Sequence, residues 1–177
     1  DDLTSRWVLT GADSGHVTGL NDGFTGFENL VGGFAEDEFV VSFGVTFAGT
    51  VDGGDGSDTF IFVDGATVTG GVKGGENSGN GQDTIDLSLT EGPLNVNLGN
   101  PFFAGIEVIV GTGQDSTLTG ADEENTWFIT GINDGSLNDI SFVDFDLLVG
   151  GANVDTFNFT ASDEVIFPSP SEGFNKG

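Results

Sequence analysis

The chain has no cysteine, methionine or tyrosine, one histidine, and only three cationic side chains among 177 residues. Each scarcity excludes something. Without Cys there is no disulfide framework and no thiolate metal site. His16 stands alone in the surface-like string SGHVTG, so neither a Cys–His pair nor a His-based zinc site is available. A Ser-His-Asp triad would have to use His16, and no G-x-S-x-G elbow occurs. Arg6, Lys73 and Lys176 face 29 acids, and the resulting net charge of −26 repels nucleic acid and anionic membranes. No apolar run approaches the ~20 residues of a membrane helix, so no direct membrane insertion is expected. No secretory leader is read at Asp1, and a mature, excised or otherwise exported chain is expected. Helical periodicity and long Ala/Leu/Lys/Glu segments are missing too.

Paired carboxylates are the one catalytic option left. Glycoside hydrolysis needs two acids beside a sugar cleft, but 29 acids guarantee chance pairs and carry no specificity. Exposed aromatics for a sugar subsite are not evident either, because both Trp residues sit at positions that read as core. No enzyme is expected. An ice-binding surface would need a T-x-T rank, and TVTG (67–70) and STLTG (116–120) are scattered pieces.

What the chain does have is repetition. WVLTGADSGHVTGL (7–20) returns as WFITGINDGSLNDI (127–140), and FTGFENLVGGFAEDEF (24–39) returns as FVDFDLLVGGANVDTF (142–157). The offset is 120 residues at Trp7/Trp127 and 118 at Phe27/Phe145. Internal repetition is the signature of arrays in which units stack and bury a continuous core.

A shorter unit lies inside the long one: a Gly-rich turn, an acid or amide, then two apolar residues in alternation. Asp37 precedes Phe39 and Val41, Asp58 precedes Phe60 and Phe62, and Asp83 precedes Ile85 and Leu87. Asn125 precedes Trp127 and Ile129, and Asp155 precedes Phe157 and Phe159. Side chains two apart on a strand share a face, so each pair is expected to enter one core. Gly32-Gly33, Gly53-Gly54, Gly79 and Gly81, and Gly150-Gly151 permit the positive φ of a sharp corner. A third unit occurs three times, as FENLVG (27–32), IEVIVG (106–111) and FDLLVG (145–150). In the middle copy the corner GTGQD is one residue short and Leu118 is displaced, so a local irregularity is expected there.

Asp37, Asp58 and Asp83 are 21 and 25 residues apart, about the chain needed for two or three short strands and their corners at ~3.3 Å per residue. An all-β parallel β-solenoid (β-helix) with Gly/Asp-rich corners and a Phe-rich core accounts for this best. About eight coils at ~4.8 Å would make a rod roughly 40 Å long. The alternative is an antiparallel sandwich, with Asp-Gly hairpins at 22–23, 52–53, 64–65 and 134–135. The solenoid is expected over residues 1–167 as a single domain, with 168–177 (PSPSEGFNKG) a frayed tail.

GGDGSDTFI (53–61) fits the nine-residue calcium pattern G-G-x-G-x-D-x-U-x in full. SGNGQDTID (78–86), GGFAEDEFV (32–40) and GGANVDTFN (150–158) fit it partly. Calcium takes six to eight hard oxygens, so stacked turns would have to share it. The candidate ligands are Asp37, Asp58 and Asp83 with Asp55, Gly54 and Gly56, helped by Asp52. In the competing account the same aspartates cap backbone N–H groups at Gly-Asp corners.

The string GIEVIVGTGQDSTLTGADEENTWFITGINDGSLNDISFVDFDLLVGGANVDTFNF (105–159), with LNVNLGN (94–100), GFTGFENLVGG (23–33) and GTVDGGDGSDTF (49–60), resembles repeats of large secreted bacterial surface proteins. These are the filamentous-haemagglutinin-like and RTX-like adhesins and exoproteins. The resemblance covers about residues 4–160. It implies a β-solenoid stalk, secretion to the bacterial cell surface, a role in adhesion, biofilm or the envelope, and in some members calcium. Most corners here read GGxxxD instead of GGxGxD. A structural or adhesive module is therefore expected, partnered by copies of itself or by adjacent repeats, since neither end reads as a cap. The alternative is a module binding calcium or surface glycans.

Overall fold

The computed structural model describes residues 3–77, 81–99 and 102–160. Gly79 of one expected corner and the expected tail at 168–177 lie outside the described residues. Every regular element among the described residues is a strand, and no helix occurs.

The chain opens with β1 (Arg6–Gly11), β2 (Ser14–Val17), β3 (Phe24–Thr25), β4 (Asn29–Val31) and β5 (Glu38–Val41). It continues through β6 (Thr46–Phe47), β7 (Thr50–Asp55), β8 (Thr59–Val63), β9 (Thr67–Val68) and β10 (Val72–Glu76). Next come β11 (Thr84–Leu89), β12 (Leu94–Asn97), β13 (Phe103–Ala104), β14 (Val108–Val110) and β15 (Ser116–Thr119). The last five are β16 (Thr126–Gly131), β17 (Asp134–Leu137), β18 (Ile140–Val143), β19 (Leu147–Val149) and β20 (Thr156–Phe159).

One sheet holds eleven strands in the order β20-β16-β17-β18-β14-β11-β8-β5-β1-β2-β3. Smaller sheets are β13-β10-β7-β4, β12-β15-β19 and β6-β9. The middle of the large sheet is a parallel ladder in which corresponding residues stand side by side. Trp7 faces Phe39, Phe39 faces Phe60, Phe60 faces Ile85, Ile85 faces Ile109, and Ile109 faces Phe142. These are the apolar positions of the short unit, and Phe39, Phe60, Ile85, Ile109 and Phe142 are all buried. The period-2 alternation of a strand puts them on one face, and fully burying each such side chain contributes about 1.5–3 kcal/mol. Trp7, Phe39 and Phe60 add a stacked aromatic row, with centroid separations of 5.7 and 5.3 Å.

The ladder is not parallel throughout. In both copies of the long repeat, W-x-[LI]-T-G-x-[DN]-x-G folds as an antiparallel hairpin. β1 pairs with β2, and β16 pairs with β17, each with an irregularity before the turn. A third antiparallel strand follows in each copy, β3 beside β2 and β18 beside β17. Of the Asp-Gly pairs, Asp22-Gly23 lies in the connection between the antiparallel strands β2 and β3, with Gly23 at φ 71°, while two others fall within strands. Asp52-Gly53 lies inside β7 and Asp134-Gly135 opens β17. Asn133 at φ 64° and Asn138 at φ 50° supply the left-handed residues of the second meander.

Other expectations also need correction. Phe157 and Phe159 do not enter the core, being 40% and 55% exposed on the terminal strand β20. Phe157 stacks on Trp127 at 5.3 Å, and its other face has no strand beside it among the described residues. Ile129 is only partly buried. The three copies of the FENLVG-type unit run through β4, β14 and β19, which lie in three different sheets. The expected irregularity at GTGQD is present. Asp115 takes φ 51°, and the next strand, β15, joins the three-stranded sheet while keeping Leu118 fully buried.

Candidate functional site: a ladder of buried acids

The corners leading into the large sheet carry the unusual chemistry. Asp37, Asp58 and Asp83 are almost completely buried, where isolated carboxylates are costly. Each is held by backbone amides of the neighbouring pass of the chain. The Ser5 N–H donates to Asp37 Oδ1 at 2.6 Å, the Asp37 N–H to Asp58 Oδ1 at 2.7 Å, and the Asp58 N–H to Asp83 Oδ1 at 2.8 Å. The Asp83 N–H then donates to Glu107 Oε2 at 2.9 Å. A shorter row repeats the device near the second Trp, where the Asn125 N–H and Nδ2 both donate to Asp155 Oδ1.

The glycines explain why the acids fit. A methyl group at Gly32, Gly53, Gly74 or Gly150 would overlap the second carboxylate oxygen of Asp37, Asp58, Asp83 or Asp155 respectively. Three of these spacings are five residues, and the fourth is nine because ENSGNGQ replaces a shorter corner. The GGxxxD pattern thus encodes close approach: a bare Cα leaves room for the carboxylate, and Gly54, Gly75 and Gly151 supply the positive φ that follows.

Asp37 spends both oxygens on amides, the second on the Gly33 N–H at 2.7 Å. Asp83 spends its second on Asn77 Nδ2 at 3.0 Å. Asp58 differs, because its Oδ2 is buried without a hydrogen-bond partner among the described residues. Burial pushes the Asp58 carboxyl from its ordinary 3.8 up to about 7; the Asp37 amide opposes the shift, and the charges of Asp83, Asp37 and Asp52 add to it. Burial also raises Asp83, against the Asp58 amide and Asn77, with Glu107 and Asp52 reinforcing the rise.

The six expected calcium residues are therefore divided. Asp37, Asp58 and Asp83 form the buried row. Gly54 and Asp55 line an outer groove of about 530 Å³ on the β13-β10-β7-β4 sheet, together with Asp52, Lys73 and Glu76. Lys73 Nζ lies 3.9 Å from Asp52 Oδ2 there. Gly56 packs over Ala35 in a separate depression. Among the described residues, no three His, Cys, Asp or Glu side chains are placed to hold a metal ion. Oδ1 of Asp37, Asp58 and Asp83 each accept a backbone N–H, as capping requires, while Oδ2 of Asp58 has no hydrogen-bond partner among the described residues.

Sequence reasoning did not find Ser5, Asn77 and Glu107. Glu107 was detectable, being the acid of the recurrent IEVIVG unit. Its counterpart Asp146 accepts the Ser116 N–H at 3.1 Å in the same manner. His16 is exposed, as its polar setting suggested. No helix is long and apolar enough to cross a membrane. No protein-family model, no curated protein and no solved structure matches the chain.

Proposed function

We propose that the chain is a structural module of a secreted bacterial surface or filament protein, a stiff acidic β-solenoid that stacks end to end. The observation that carries this is the equivalence of stacked residues: Phe39, Phe60, Ile85 and Ile109 come from successive passes and sit side by side in register. A chain that lays each pass on the one before builds length instead of a cleft. Eleven strands in the large sheet, at ~4.8 Å apart, extend about 50 Å. The net charge of −26 keeps neighbouring modules apart laterally. Adhesive or envelope-associated work at the cell surface follows from such a spacer, with adjacent repeats or further copies as partners.

Small-angle scattering tests the architecture. An elongated particle near that length supports the module, and a particle as compact as a sandwich of this mass removes it.

A module binding calcium or a glycan is the rival. It draws on the full GGDGSDTFI pattern and on the unpartnered Oδ2 of Asp58. Calcium titration followed by calorimetry separates the two. Heat of binding together with a melting temperature that falls on adding chelator favours the rival, and their absence favours the spacer.

A further inference from the structure

The two copies of the long repeat have the same residues in different surroundings, and the differences fall at the two edges of the large sheet. Phe145 is 1% exposed, whereas Phe27, in the same place in the first copy, is 52% exposed. Both make the same edge-on aromatic pair, Phe24–Phe27 at 5.9 Å and Phe142–Phe145 at 6.4 Å. What differs is a neighbour. β18 has β14 beside it, in parallel, while its counterpart β3 ends the sheet. At the opposite edge, Phe39 and Val41 of β5 are covered by β8, while their counterparts Phe157 and Phe159 on β20 are exposed.

The two edges, neither of which has a further strand among the described residues, are compatible in direction. From β20 to β18 and from β1 to β3 the sheet passes through two antiparallel pairings each, and the strands between are parallel, so β20 and β3 point the same way. They are also compatible in chemistry. β14 follows an acid and reads E-V-I-V from Glu107, with Ile109 against Phe142. β20 follows an acid and reads D-T-F-N from Asp155, and Phe157, like Ile109, stands two residues after the acid and opposite the apolar residue of the preceding parallel strand, Trp127 and Ile85 respectively.

We infer that β20 of one copy of this chain pairs in parallel with β3 of a second copy, with Phe157 opposite Phe24 and Asn158 opposite Thr25. The junction reproduces the β14–β18 contact that the chain already makes within itself. A strand edge with unsatisfied amides and carbonyls is a template for such pairing. Each copy carries −26, so association strengthens as salt screens the repulsion. This rests on the spacer reading and specifies its partner and register.

The absence of cysteine makes the test clean. Asn158→Cys and Thr25→Cys proteins, full chain, are mixed under mild oxidation at 150 and 500 mM salt. By strand alternation Asn158 and Thr25 lie on the faces opposite Phe157 and Phe24. The expected result is a mixed disulfide dimer forming at least tenfold faster than either homodimer, and faster at the higher salt. Thr10→Cys, exposed but out of register, is expected to cross-link with Asn158→Cys no faster than background. No mixed dimer, or equal cross-linking of Thr10→Cys, overturns the junction. Scattering on the same samples separates the two claims: elongated monomers without cross-links remove only the junction, and compact particles remove the spacer as well.

Discussion

The Asp37 amide donates to Asp58 Oδ1 at 2.7 Å, a bond between residues 21 positions apart in the chain. It joins two corners that have the same local sequence pattern, and both partners are buried. The same bond recurs from Asp58 to Asp83. The acids that dominate the composition are thus of two kinds, a solvated majority and a buried row that fixes how passes of the chain sit on one another.

Removing a rung should be expensive. Asp58→Ala leaves the Asp37 N–H buried without an acceptor, for which a loss of about 1–3 kcal/mol is expected. Asp58→Asn keeps an oxygen in place, and a smaller loss is expected. Urea unfolding of the two variants at pH 6 measures the difference. Equal losses would mean the amide finds another acceptor.

Stability should fall as pH rises from about 4 to about 7. The folded state holds the Asp58 proton up to about 7, whereas the unfolded carboxyl releases it near 3.8. The stabilisation is complete below the unfolded value, declines between the two by at most about 1.4 kcal/mol per pH unit, and is gone above about 7. The raised Asp83 acts in the same direction. Asp58→Asn is expected to flatten this part of the profile, as read by melting temperature from pH 4 to 8. A wild-type profile that rises over that span contradicts the assignment.

Gly53→Ala should destabilise strongly, because the new methyl meets the Asp58 carboxylate and the Gly74 carbonyl. The effect is steric, since Gly53 does not have a positive φ. Gly131→Ala is the control. Its nearest contact would be the Asp134 carboxylate at 3.6 Å, and a change within about 0.5 kcal/mol is expected. Thermal melts of the pair decide.

Equivalent aromatics should differ in worth by position along the sheet. Phe39→Ala empties a site buried between Trp7 and Phe60 and is expected to lose about 3–5 kcal/mol. Phe157→Ala, half-open on β20, is expected to lose clearly less in dilute solution. Denaturant titration at low protein concentration compares them, and similar losses would mean that β20 is covered.

Strand identity and corner position were legible because they are local. Alternation at Phe60/Phe62 and a Gly-Gly-x-x-x-Asp spacing each state their outcome within ten residues. The first hairpin of each meander was hidden because its turn falls at Ala12-Asp13 or Ile132-Asn133, which lack the Asn-Gly or Asp-Gly signature. The visible Asp-Gly pair at 134–135 lies one step past the turn, inside a strand. Sheet membership was hidden for another reason: FENLVG and FDLLVG specify alternation and a corner, and the partner strand depends on the pass beside them. The row of buried acids was visible as a spacing, and the two accounts of it, capping and calcium, use the same carboxylates.

The buried row also has a direction. In every rung the amide belongs to the earlier pass and the carboxylate to the later one, from Ser5 through Asp37, Asp58 and Asp83 to Glu107. A growing structure therefore always presents a bare donor at its advancing front, and the next acid to arrive is the one that satisfies it. The stack is thus polar, with its backbone donors aimed toward the later pass and its carboxylates toward the earlier one.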